Sequence, residues 1–134
     1  MATYKLSVVA PDRTVFEDEV SASTFPAVYG YLGIWSNHEP MLVALKPGLI
    51  TYTDAKNQLH FVSISGGFLE TSGTSAIVLA QDAVRSSEVD LAQAEADLEE
   101  AKKALRGEAS SMTVTEAMHE VEKATARLQL ARKK

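Results

Sequence analysis

The sequence contains no cysteine, and that one absence removes disulfide staples, thiol catalysis and thiolate metal sites together. No stretch approaches the roughly 18 to 20 apolar residues that span a bilayer. The start, MATYKLSVVA, lacks a basic segment followed by a long apolar run, so a soluble, unsecreted chain is the expectation. Nor is there an excess of base. The net charge is −5, whereas general nucleic-acid binding needs a basic face that displaces counterions from the phosphate backbone. What the chain does have is apolar residues, 46% of 134, enough for one compact domain with a genuine core and a small appendage.

The periodicity changes near Gln81. Before it the signals have period two. YKLSVV sets Tyr4, Leu6 and Val8 against Lys5 and Ser7, and LHFVSI sets Leu59 and Phe61 against His60, Val62 and Ile64, with apolar residues on both sides. Turn residues separate such runs at Pro11-Asp12, Pro26, Gly30, Pro47-Gly48, Asp54 to Asn57, Gly66-Gly67 and Ser72-Gly73. That spacing is typical of an all-β sandwich or barrel. From Ser86 the period is helical. Leu91, Ala94, Leu98, Ala101 and Leu105 recur at alternating steps of three and four, as do Val114, Ala117, Val121, Ala124, Leu128 and Ala131. Ser87 and Thr113 are candidate caps, with Asp90 and Glu116 three residues on, and Gly107 follows Arg106 where the first helix should stop. The short connection GEASSM leaves an antiparallel hairpin as the natural arrangement. The expected fold is therefore α+β and mainly β, with an antiparallel β-sandwich over residues 1–83 and an antiparallel two-helix hairpin over 84–134. Each heptad pairs one bulky residue with one Ala, so the hairpin buries little apolar area and needs something to dock on.

No residue set stands out as catalytic. His38, His60 and His119 fall in a turn, a strand and a polar helix side, without ligand spacing. Glu17-Asp18-Glu19 lies between Phe16 and Val20, where a strand turns or exposes its edge. The SGGF segment, Ser65 to Phe68, is too short to cradle phosphate and reads as a strand connection. YLGIWSNHEPML, residues 31–42, admits two readings: a site built on His38 and Glu39, or a strand ending at Trp35, a Ser36-Asn37 turn and a restart held by Pro40. The last twelve residues carry Lys123, Arg127, Arg132, Lys133 and Lys134 and no acid. Such a basic end either complements the helix macrodipole or seeks an acidic partner.

GYLGIWSNHEPMLVALKPGLI, VSISGGFLE and AIVLAQDAVRSSEVD, in that order, resemble the epsilon subunit of F-type ATP synthases over essentially the whole chain. The resemblance implies a non-catalytic rotor subunit of the central stalk, held peripherally at the cytoplasmic face of the bacterial cell membrane within the complex. Its partners would be the gamma subunit, the c-ring and the alpha/beta catalytic head, with no nucleic acid, no metal and no direct membrane contact. The sandwich would bind gamma and the c-ring, with Tyr31 and His38 at the c-ring tip. The hairpin would restrain ATP hydrolysis through Arg127, Arg132, Lys133 and Lys134 against acidic segments of beta. Some family members bind ATP between the folded helices, which maps onto Asp90, Ala94, Lys123 and Arg127. Here Gln93 stands where that motif has arginine, removing the group best suited to a bidentate phosphate contact. An ATP-binding sensor and a free-standing adaptor recruiting an acidic partner are the alternatives.

Overall fold

The fold is that of a computed structural model, which describes residues 2–108 and 111–133. Nine strands come first: β1 (Tyr4–Ala10), β2 (Arg13–Ala27), β3 (Gly30–Trp35), β4 (Met41–Leu45), β5 (Gly48–Asp54), β6 (Leu59–Ile64), β7 (Gly67–Thr71), β8 (Ser75–Ala80) and β9 (Ala83–Arg85). A single 3-10 turn, Ser86–Glu88, leads to α1 (Leu91–Leu105) and α2 (Val114–Arg132). The last strand runs to Arg85, two residues beyond the expected division at 83.

β2 organises the sandwich because it is 15 residues long and belongs to both layers. Its first half pairs with β1, from Ala10↔Arg13 to Tyr4↔Val20, while its second half pairs with β3 and β5. One layer thus runs β4, β7, β8, β1 and the start of β2. The other runs β3, the end of β2, β5, β6 and β9. Alternating side chains from both layers meet in a core that includes Tyr4, Leu6, Val8, Phe25, Ile34, Ile50, Val62, Leu69 and Val78. One pair departs from the antiparallel pattern: β1 and β8 run parallel, with Leu6 opposite Ala76 and Val8 opposite Val78. Glu17, Asp18 and Glu19 lie exposed within β2, without a turn, and Lys5 Nζ sits 3.5 Å from Glu17. Gly66 and Gly67 make the β6–β7 connection with φ of 122° and 147°, a region that L side chains rarely adopt.

The helices begin and end for local reasons. Asp90, and not Ser87, caps α1: its carboxylate accepts from the backbone N–H of Gln93 at 2.9 Å, while Ser87 lies in the preceding 3-10 turn. Gly107, with φ of 79°, follows the end of α1. Thr113 and Glu116 form the expected reciprocal capping box of α2. The connection between the helices includes residues 109–110, so its conformation lies outside the described residues.

The seam is uneven. In α1 only Ala94 and Ala101 are buried, whereas Leu91 and Leu105 are exposed; in α2 Ala117, Ala124, Leu128 and Ala131 are buried but Val114 is exposed. α2 also buries Ala126 and Leu130, two positions outside its seam. It therefore presents apolar residues in two directions. A second cluster gathers Leu128, Leu130 and Ala131 with Ala94, Leu49 of β5 and Val89, and Phe61 of β6 packs against it. The hairpin is docked on β5 and β6.

Candidate functional site

The residues singled out in the sequence fall in three separate places. Tyr31 is the second residue of β3, beside the Val28–Tyr29 turn, and its phenol oxygen accepts from the Leu49 N–H at 3.4 Å. Tyr31 is 61% exposed, next to Val28 at 59% and Tyr29 at 73%. An aromatic, uncharged knob therefore projects from this end of the sandwich.

His38 is not beside it. The imidazole lies past the far end of β3, and from Tyr31 to Trp35 alone the strand rises about 13 Å. Its ring nitrogens lie 2.6 Å from the Trp35 carbonyl oxygen and 3.1 Å from that of Ser75, and its ring meets Tyr4 edge-on at 5.0 Å. Those contacts hold the Ser36-Asn37 turn, where Asn37 has φ of 60°, against the start of β8. The structure thus places Tyr31 and His38 toward opposite ends of β3. The resemblance names them together, but an extended strand separates its ends. Glu39 is exposed, and its backbone carbonyl accepts from Thr71 Oγ1 at 2.7 Å.

The third place is the junction of hairpin and sandwich. Arg127 of α2 is ion-paired through Nη2 to the Asp82 carboxylate, in the turn between β8 and β9. Ser65 Oγ also donates to that carboxylate oxygen at 3.4 Å, and the Ser65 N–H donates to the Asp82 carbonyl at 3.1 Å. Lys133 places its ammonium 5.0 Å from the centre of the Phe61 ring, within the range of a cation–π contact. Two of the expected free cations are therefore engaged by the sandwich. Arg132 is exposed, and Lys134 lies outside the described residues.

Upstream, Glu88 ties the linker down. Arg13 of the β1–β2 hairpin donates to it at 2.7 and 2.9 Å, and the Arg85 N–H adds a bond of 2.9 Å. These bonds, the Arg13 fork first, hold the Glu88 carboxyl at about 2, well below its ordinary 4.5. In the β5–β6 hairpin His60 donates to Asp54 at 2.8 Å and stacks on Tyr52, which stacks on Phe16. The bond from His60, then that from the Gln58 N–H, lowers the Asp54 pKa.

The candidate nucleotide residues do come close together, but their surroundings do not suit a triphosphate. Asp90, Ala94 and Arg127 line a cleft of about 250 Å³ together with Glu88 and Asp97. Lys123 and Arg127 line an adjoining one of about 500 Å³ with Asp97, Glu100, Glu108 and Glu120. Six carboxylates and two cations line the clefts; Glu88 and Glu108 are paired with Arg13 and Arg106, and Arg127 with Asp82, which leaves Asp90, Asp97, Glu100 and Glu120 beside Lys123. Gln93 is also committed, donating to Asp97 at 2.8 Å. Phosphate oxygens would meet like charge.

The periodicity reading missed one surface. On the outer face of the β1-β8-β7-β4 layer, Leu42 is 72% exposed, Phe68 and Leu79 53% each and Ile77 36%. The register sets Phe68 opposite Leu79 on this face, with Ile77 two residues along β8 and Leu42 across the diagonal, and Glu70 stands exposed between Ile77 and Leu42. The signal was legible only as strands apolar on both sides, since strand patterns do not tell a covered face from a bare one. Contiguous exposed apolar surface on a small domain marks an interaction site.

The family model for the ATP synthase delta/epsilon chain β-sandwich domain matches residues 3–86. An ATP synthase epsilon chain from Moorella thermoacetica is 34% identical over 131 residues, covering 98% of each chain. One from Solibacter usitatus is 36% identical over 132 residues with the same coverage. Among solved structures, a chain of the Euglena gracilis mitochondrial ATP synthase assembly (OSCP/F1/c-ring) superposes with a TM-score of 0.82 at 23% identity, covering 98% of this chain and 82% of the other. A chain of the Tetrahymena thermophila mitochondrial ATP synthase central stalk and c-ring gives 0.61 at 14% identity.

Proposed function

The chain belongs to the ATP synthase epsilon-chain family, and from that premise we propose that it is a non-catalytic rotor subunit. In this reading it joins gamma to the c-ring at the cytoplasmic face of the membrane and restrains ATP hydrolysis through its hairpin. The observation that carries the reading is the bare apolar face of Leu42, Phe68, Ile77 and Leu79. Left in water it costs solubility and contributes nothing to the fold. Covered by gamma, it supplies the binding energy, at about 25 cal/mol per Å² of apolar area removed from water. The Val28-Tyr29-Tyr31 knob is the proposed c-ring contact, made by aromatic packing, and His38 supports the fold next to the gamma face. No helix of the described residues is long and apolar enough to cross a membrane, so attachment would run through partners.

Phe68→Glu and Leu79→Lys test this, because both side chains are half exposed and their replacement leaves the core intact. Either one should weaken binding to purified gamma at least tenfold, measured by titration calorimetry, with the thermal midpoint of the isolated chain nearly unchanged. Unaltered affinity in both variants would remove this face from the interface.

A further inference from the structure

We propose that Glu70 is the cation-binding point of the bare apolar face, and that the partner covering this face presents to it one lysine or arginine set beside apolar side chains. The proposal rests on the reading that gamma covers the face, and it adds the chemistry that gamma must bring.

The register fixes what surrounds Glu70. Across the outer surface of the layer, Glu17, Ser7, Ile77, Glu70 and Leu42 form one row from β2 to β4. The next row, one two-residue step and about 7 Å away along the strands, is Val9, Leu79, Phe68 and Ala44, apolar throughout. On the other side the surface turns polar, with Ser75, Lys5 and Glu19 in register. Glu70 therefore stands where apolar surface gives way to polar surface, with Leu42 on one side and Ile77 on the other.

Two carboxylates share that row, and their surroundings differ. Glu17 is satisfied within the sandwich: Ser7 Oγ donates to it at 3.0 Å, and Lys5 Nζ lies 3.5 Å away. Glu70 is exposed, and among the described residues it belongs to no ion pair. In the free chain, water solvates it. A partner that covers Leu42 and Ile77 strips that water from the carboxylate between them, which is unfavourable unless a cation takes the water's place. Beside Phe68 and Leu79 a groove of about 480 Å³ runs past Val9 and Pro11, with room for a large apolar side chain. The face thus requires an apolar anchor and, one strand step away, a positive charge.

A second copy of this chain does not meet that requirement. Two-fold pairing of the face would bring the Glu70 and Glu17 carboxylates of one copy toward those of the other, in a molecule with a net charge of −5. The cation also fixes how the partner sits. Sliding it by one row would set its charge against Phe68 and leave Glu70 covered and unpaired, so the pair selects one register.

Glu70→Leu in the full-length chain gives the test, read by titration calorimetry with purified gamma. Leucine enlarges the apolar face, so binding would be equal or tighter if Glu70 met apolar surface or stayed in water. A cation opposite reverses the outcome. Glu70→Leu and Glu70→Gln should then each weaken binding about tenfold or more, while Glu70→Asp, which keeps the charge, should stay closer to the parent. The thermal midpoint of the isolated chain should not fall in any of the three. Equal or tighter binding by Glu70→Leu, with Phe68→Glu still damaging, would overturn the cation contact and leave the face as the interface. Equal losses in all three Glu70 variants would assign the effect to shape and overturn it as well. Parent-like affinity in both Phe68→Glu and Glu70→Leu would remove the face from the interface, and the cation contact with it.

Discussion

Among the glycines, Gly67 is the one whose replacement the fold tolerates least. A Cβ there would lie 2.1 Å from the Leu79 carbonyl oxygen, in a backbone already at φ of +147°. The strained conformation alone is worth about 1–3 kcal/mol for a residue with a side chain, and the overlap adds to it because the obstacle is backbone. Gly67→Ala should therefore lower the urea midpoint sharply or prevent folding, whereas Gly73→Ala, with nothing within 4 Å, serves as the quiet control. Glu88 acts through charge. Its pKa falls from 4.5 to about 2 on folding, so its contribution is present above 4.5 and disappears as the pH drops toward 2. Solvent screening keeps it below about 1 kcal/mol. Glu88→Gln should lower stability slightly at neutral pH and flatten the acid limb between those two values, which equilibrium unfolding across the pH range will show.

At the scale of elements, α1 depends on its cap more than on its contacts. Asp90→Ala removes the acceptor for the Gln93 N–H, a loss of about 0.5–2 kcal/mol, and α1 has only two buried alanines to compensate. The expected result is reduced helical circular dichroism with the sandwich transition unmoved. The sandwich, by contrast, closes its own core. A chain ending at Glu88, which keeps β9 and the Arg13 clamp, should unfold cooperatively in urea and still bind gamma. Loss of gamma affinity in that shortened chain would place part of the interface on the helices. Much of this architecture was legible from period and turn chemistry: Trp35, Pro40, Gly107 and the Thr113 box all bound elements where local rules put them. Ser87 failed as a cap because a 3-10 turn intervenes, so Asp90 took the role. The parallel β1–β8 pairing and the Asp82–Arg127 contact were not legible, since each joins segments far apart in the chain; the Ala126–Leu130 strip lies beside the heptad seam of α2, and the seam alone does not show that this second side is covered. Tyr31 and His38 were grouped by the family resemblance, and β3 sets them apart.

For the whole molecule, the acidic clefts and the basic end of α2 make opposite demands on ligands. Low-millimolar MgATP should leave the thermal midpoint of the isolated chain unchanged, because Asp90, Asp97, Glu100 and Glu120 oppose the phosphates. A clear upward shift would contradict this account of the clefts. Replacing Arg127, Arg132, Lys133 and Lys134 together with Ala should raise hydrolysis by the assembled head at low salt and matter less at high salt, each exposed pair being worth under about 1 kcal/mol. An unchanged rate would show that the helices do not act through charge. Beneath these exchangeable contacts lies the 15-residue β2, shared by both layers. In a sandwich of two separate sheets, a sideways load is resisted only by side chains sliding over one another. Here the two sheets share one covalent beam, so a force entering at the Leu42–Phe68 face reaches the Tyr31 end through peptide bonds and strand hydrogen bonds, and the layers cannot shear without tearing a ladder apart.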